Sequence, residues 1–297
     1  MKEIVVISGK GGTGKTSITA AFAYLAGKSA VIADCDVDAS NLHLVLQPKK
    51  PVKHPFFCGE MAILDQELCI QCGKCLDVCQ FDAVLHNSDK YTIDDISCEG
   101  CGYCSEVCPS KAITMETQQV GTYSISNSKV SAAMVDASLF AGAENSGKLV
   151  AKVKNQAKEK AKELSCDIIL VDGSPGIGCP VVSSLSGANY VVIVTEPTIS
   201  GFHDLKRVIS LIQQFHLPSG CIINKYDLNP SASKEIKDYL QQENILYLGD
   251  IPYHSVFSDA IKQGKTILEM QNQEITDIIT PIWEKLINTD ITEKQIK

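Results

Sequence analysis

Residues 2–16 read KEIVVISGKGGTGKT, and the fold follows from them. Lys2 to Ser8 is a short β-branched run, the composition of a strand buried on both faces. Gly9 to Thr16 then satisfies the spacing GxxxxGK[ST]. Glycines at 9, 11, 12 and 14, with Lys10 and Thr13 between them, let backbone N–H groups curl around an anion. Thr16 to Ala26 (TSITAAFAYLA) reads as a helix, and the dipole at its N-terminus favours the same anion. In a loop of this type Lys15 reaches the β- and γ-phosphates of a nucleotide, and the Thr16 hydroxyl serves Mg2+.

Outward from this segment the same grammar continues. Ser29 to Ala33 (SAVIA) is a second strand ending at Asp34, and further apolar strands cover 167–171, 190–195, 221–223 and 245–251. Helical stretches are expected around 148–164, 201–216, 231–243 and 273–288. Alternation of this kind predicts an α/β fold with a doubly wound, mostly parallel sheet, here a P-loop NTPase.

One segment breaks the alternation. Of thirteen cysteines, eight fall between Cys69 and Cys108. Cys69, Cys72, Cys75 and Cys79 recur 29 residues later as Cys98, Cys101, Cys104 and Cys108, and Gly73, Val78 and Ala83 recur as Gly102, Val107 and Ala112. The chain of 297 residues carries a net charge of −8. Residues 58–116 hold eleven acidic residues against three lysines and account for all of it. Residues 1–57 and 117–297 are therefore expected to form one discontinuous domain, with 58–116 inserted as a small α+β, ferredoxin-like domain.

The spacing C-x2-C-x2-C-x3-C, given twice, is that of bacterial two-cluster ferredoxins, in which the fourth cysteine of each run serves the other cluster. It assigns Cys69, Cys72, Cys75 and Cys108 to one [4Fe–4S] cluster and Cys98, Cys101, Cys104 and Cys79 to a second. Pro109 follows the last ligand as that pattern expects, whereas Gln80 stands where the first run would have proline. Structural zinc, the alternative, usually uses separated CxxC pairs.

Composition excludes several classes. No run approaches the roughly 18 apolar residues of a membrane span, and the N-terminus lacks a signal-peptide h-region and cleavage site. No basic stripe suggests nucleic acid. The expectation is a cytoplasmic protein without membrane or nucleic-acid partners.

Lys10 inside KGGTGKT gives the loop a second lysine, and in this it resembles the deviant phosphate loop of the MinD/ParA/Mrp ATPases, a group that includes the nitrogenase Fe protein. The resemblance extends to Asp34-Cys35-Asp36 as a switch I and to Asp172-Gly173-Ser174-Pro175-Gly176 as a switch II, with Ser174 replacing a proline. It implies an Mg-dependent ATPase that dimerises with nucleotide, in which Lys10 crosses to the partner's phosphates, Asp36 orients the attacking water and Asp172 sits beside Mg2+. It also implies that Asn224 contacts the adenine and that the chain around Ile251-Pro252 closes the base pocket. The letters Asn224-Lys225-Tyr226-Asp227 equally match the guanine motif NKxD, so the base is less fixed than the phosphates.

Cys179 lies seven residues after Asp172, the offset of a cluster-ligating cysteine in the nitrogenase Fe protein. Two such thiolates facing each other across a dimer axis would suit a transient or exchangeable metal. Cys35, Cys166 and Cys221 sit in or beside apolar strands and read as core. Glu144-Asn145-Ser146-Gly147-Lys148 is familiar from ferredoxin-fused members of the group and reads as a helix N-terminus.

Ferredoxin-fused members of this group are associated with iron–sulfur or heterometal cluster biology, and the resemblance implies a nucleotide-driven dimer switch coupled to cluster assembly or transfer to a client metalloprotein or other cluster-accepting protein. An ATP-gated electron donor is the alternative. A positioning ATPase fits less well, because Glu274 to Asn288 has no basic face for a membrane. A cobyrinic-acid-type amide synthase would need a glutamine-hydrolysing domain for which no residues remain.

Overall fold

Ile4, Val5, Val6 and Ile7 are completely buried, as a strand with helices on both faces requires. They belong to β1 (Lys2–Ser8) of a computed structural model that describes residues 1–143 and 146–289. The other strands are β2 (Ala30–Asp34), β3 (Lys49–Leu64), β4 (Val84–Asn87), β5 (Lys90–Ile93), β6 (Ile113–Asn127), β7 (Ala133–Leu139), β8 (Ile168–Pro175), β9 (Tyr190–Thr195), β10 (Ser219–Asn224) and β11 (Leu246–Ile251). Among the described residues, nine form one sheet in the order β11-β10-β9-β1-β8-β2-β7-β6-β3, and all pairings from β11 through β7 are parallel. This is the expected doubly wound, mostly parallel architecture. Its order puts β1 between β8 and β9, with the register Val5 to Val171 on one side and Val5 to Val191 on the other. Ligands in such sheets bind beyond the carboxyl ends of the strands, where the order reverses.

The chain divides into two compact units. The first contains Met1–His54, Thr122–Ser138 and the chain from Ser146 onward. Its core packs the helix Lys15–Ala26 against the sheet and the helix Gln273–Asn288, with Phe22 and Trp283 ring centroids 5.2 Å apart. None of the helices among the described residues is long and apolar enough to cross a membrane.

The second unit comprises Pro55–Gly121 and the segment from Leu139, where the spacing of the cysteine runs suggests 58–116. β3 and β6, which the sequence reading did not anticipate, run from the first unit into the second. β3 (KKPVKHPFFCGEMAIL) carries two prolines and several charges, a composition tolerated at a sheet edge, and β3 ends the strand order.

Within the second unit the 29-residue repeat is a backbone repeat. Gly73 and Gly102 adopt φ of +76° and +78° and open the short helices Lys74–Val78 and Tyr103–Glu106. Asp82 and Lys111, also repeat mates, both take φ of +53°. β4 and β5 form an antiparallel hairpin. The unit's core is thin: Ala62, Cys75, Val84 and Ile113 are its buried cluster, and four further cysteines pack around them. A domain this small ordinarily needs a staple beyond its hydrophobic core, and none of its cysteines is joined in a disulfide.

Candidate functional site

The carboxyl ends of β1, β8 and β2 converge on the phosphate loop. Gly14 precedes the helix Lys15–Ala26 with φ of +91°, a conformation that favours glycine, and a Cβ there would collide with the Asn224 side-chain amide. At Gly11 and Gly12 an added Cβ would meet nothing within 4 Å, so the mouth of the loop is open. The Thr13 hydroxyl is buried with no partner among the described residues, as a group reserved for a ligand would be. These features fit a bound polyphosphate.

Lys15 is buried, and its Nζ lies 2.9 Å from Asp172 Oδ1 and 3.6 Å from Asp36 Oδ2. Burial alone would lower its pKa, but Asp172, Asp36 and Asp34 outweigh it and hold the ammonium above its ordinary value. The Thr16 hydroxyl donates to Asp172 Oδ2 at 2.8 Å and the Thr19 hydroxyl to Asp172 Oδ1 at 3.0 Å. A threonine hydroxyl beside a strand-end carboxylate is the protein's usual share of an Mg2+ site in a phosphate loop of this type.

Asp34 is a residue the sequence reading left without a role. Parallel pairing of β2 with β8 sets it opposite Asp172, fully buried. Burial and the Asp172 charge push its carboxyl up to about 7, against the Ser40 Oγ hydrogen bond, the Lys15 charge and the Asp36 amide. Burial also raises Asp36, although Lys15 opposes the shift. Ser174, the residue replacing proline, donates its hydroxyl to the Cys35 carbonyl at 2.9 Å and so ties the segment after Asp172 to the one after Asp34.

Lys10 is engaged within its own chain. Its Nζ lies 2.7 Å from Glu196 Oε1 and 3.0 Å from the hydroxyls of Thr198 and Ser200. Glu196 also accepts from Lys225 Nζ at 2.8 Å, and Lys225 donates to the Gly12 carbonyl. Partial burial would raise the Glu196 carboxyl, but hydrogen bonds from Lys10 and Lys225 hold it below the usual range. Nothing in the sequence singled out Glu196, because its role depends on two distant lysines meeting it. Asn224 donates to the Thr13 carbonyl at 2.7 Å, and Asp227 Oδ1 accepts the Tyr253 amide at 2.7 Å, which ties the turn after β10 to the half-buried Pro252 after β11.

In the second unit the crossed cysteine sets are spatial neighbours. Cys69, Cys72, Cys75 and Cys108 line one pocket. Cys79, Cys98, Cys101 and Cys104 line another. Among the described residues no group of three or more His, Cys, Asp or Glu side chains is already placed to hold a metal ion; the two cysteine quartets line separate pockets. The Cys79 and Cys108 thiols sit below their ordinary pKa, because backbone N–H groups, and at Cys108 the Ser110 hydroxyl, outweigh partial burial. Burial raises Cys75 and Cys104. Cavities ringed by thiols, with donors already aimed at two sulfurs, fit polynuclear clusters.

Cys35, Cys166 and Cys221 are buried and Cys58 is half-buried. Cys179 is exposed as the first residue of the helix Cys179–Leu185. Gly147 packs against it: a Cβ there would stand 3.1 Å from Ser183 Oγ and 3.5 Å from Cys179 Cβ. Glu144 and Asn145 of the same stretch lie outside the described residues.

The family described as the CobQ/CobB/MinD/ParA nucleotide binding domain matches residues 4–267. The chain is 33% identical over 290 residues to an uncharacterized protein of Methanocaldococcus jannaschii, covering 96% of each. It is 24% identical over 286 residues to the septum site-determining protein MinD of Buchnera aphidicola subsp. Schizaphis graminum, covering 91% of this chain and 84% of that one. The structure of the Pyrococcus horikoshii septum site-determining protein MinD complexed with Mg-ADP superposes with a TM-score of 0.58 at 17% identity, over 97% of this chain and 96% of that one.

A carboxyl raised in the folded state contributes stability below its unfolded pKa and loses it as pH rises through the folded value. For Asp34 that loss runs from the ordinary carboxylate range up through about 7. In nucleotide-free buffer without Mg2+, the melting temperature should fall as pH rises from about 5.5 to about 8, and Asp34→Asn should flatten part of that slope. Thermal melts across this range check it; an unchanged slope in the variant would assign the titration elsewhere.

Proposed function

The chain belongs to the CobQ/CobB/MinD/ParA nucleotide-binding family and is a P-loop ATPase of it, and from that premise we propose a nucleotide-driven dimer switch that governs an iron–sulfur module in the same chain. What supports the reading is the pairing of two features in one polypeptide: a phosphate loop with Lys15, Thr16 and Asp172 gathered at it, and two pockets each lined by four cysteines. Lys15 and the loop amides would hold the phosphates of ATP, with Mg2+ between Thr16 and Asp172. Asp36 would orient the attacking water. Lys10 would exchange Glu196 for the phosphates of the partner's nucleotide, so dimer closure breaks an ion pair that the single chain makes. Two [4Fe–4S] clusters would supply one-electron chemistry or a transferable iron–sulfur unit, to the benefit of a client metalloprotein.

Anaerobically purified protein should carry about eight iron and eight sulfide per chain. Lys15→Ala should weaken nucleotide binding about a hundredfold or more, since a charge-assisted phosphate contact is lost. Lys10→Ala should keep the affinity and lose both hydrolysis and ATP-dependent dimerisation. Calorimetry, turnover and light scattering read the three quantities. Normal dimerisation and hydrolysis in Lys10→Ala would refute the exchange.

Exposure of Cys179 beside the segment after Asp172 makes it the candidate hand-over thiol. Cys179→Ser should leave iron content and basal hydrolysis unchanged while abolishing transfer of iron–sulfur units to an acceptor. Undiminished transfer would favour electrons as the payload.

A further inference from the structure

The two cysteine cavities are repeat images of each other. Every residue lining the cavity of Cys69, Cys72, Cys75 and Cys108 has its mate, 29 positions away, lining the cavity of Cys98, Cys101, Cys104 and Cys79. A two-fold repeat should give two equivalent sites, so the positions where the mates differ in polarity stand out.

Those differences all point one way. Tyr91 lines the first cavity where Ala62 lines the second, and its hydroxyl lies over the Cys72–Cys75 loop, 2.9 Å from where a Cβ on Gly73 would stand. Ser110 has Phe81 as its mate; its hydroxyl is 3.7 Å from Cys108 Sγ, whereas no hydroxyl reaches Cys79 from position 81. The charges follow the same division. Lys74 lines the first cavity and Tyr103 the second; Glu99 lines the second and Ile70 the first. Just past the fourth ligand of each, Lys111 follows Cys108 and Asp82 follows Cys79, in the same backbone conformation.

Reduction adds one negative charge to a cluster. Hydrogen-bond donors near its sulfurs and positive neighbours stabilise that charge and raise the potential, while carboxylates lower it. We infer that the two sites are redox-inequivalent: the site of Cys69, Cys72, Cys75 and Cys108 takes the first electron, and Lys74, Tyr91 and Ser110 on one side and Glu99 on the other set that order. The inference rests on the iron–sulfur reading above. In the step itself a low-potential one-electron donor is oxidised by one electron and one [4Fe–4S] unit is reduced by one; no bond breaks and no proton moves. The module therefore has a direction. An electron delivered near the Cys98 half settles in the Cys69 half.

The test is a dithionite titration of the anaerobic holoprotein with redox mediators, followed by electron paramagnetic resonance, with iron and sulfide measured on every sample. The native protein should show two separate one-electron waves. Lys74→Tyr and Ser110→Ala should each lower the first wave alone and narrow the gap, with full iron retained. Glu99→Gln should raise the second wave alone. A single unresolved wave at full iron content overturns the inference while leaving the clusters in place, as does a shift of the second wave by Lys74→Tyr. Protein isolated without iron overturns the reading beneath it.

Discussion

The buried ammonium of Lys15 holds the nucleotide-binding unit together around its site. An unpaired charge in that position would cost several kcal/mol, and pairing requires carboxylates to arrive from separate strands. Asp172 comes from the end of β8, Asp36 from just beyond β2, and both depend on the parallel register that sets Asp34 opposite Asp172. Three carboxylates around one lysine is an excess of negative charge, and Asp34 answers it with a carboxyl raised to about 7. Mg2+ would relieve the same excess.

The same economy of contacts governs Lys10. Its ion pair with Glu196 and its hydrogen bonds to Thr198 and Ser200 occupy the lysine that the dimeric state would need. Glu196 simultaneously holds Lys225, whose Nζ reaches the Gly12 carbonyl, so Lys10, Glu196, Lys225 and the phosphate loop form one connected network. Ser174 adds a direct link between the segments after Asp172 and Asp34.

What was legible in the sequence was local. The loop from Gly9 to Thr16 and the two cysteine runs are fixed spacings along the chain, and each implies its geometry without reference to anything distant. Asp34, Glu196 and the Asp227–Tyr253 contact were not legible, because each acquires meaning only from strand register or from a turn meeting another far along the chain. β3 was hidden by Pro51, Pro55 and its charges, which an edge position tolerates, and with it went the outer limits of the second unit. The crossed assignment of the fourth cysteines came from spacing, and the cavities bring the same quartets together. The polar asymmetry between those cavities was present in the aligned repeats from the start, yet it carried no chemistry until Tyr91 and Ser110 had positions relative to the thiols.

If nucleotide state governs the cysteine unit, the most direct reading is the rate at which a ferrous chelator strips iron from the anaerobic holoprotein. Mg-ADP would be compared with Mg-ATP held on an Asp36→Ala variant verified to be blocked in hydrolysis, with the same variant in Mg-ADP as the control. A severalfold difference in stripping rate between the two nucleotides on the variant is the predicted result. Identical rates, with ATP binding and dimerisation verified on the same samples, would contradict the coupling and leave an ATPase and an iron–sulfur module that share only a chain.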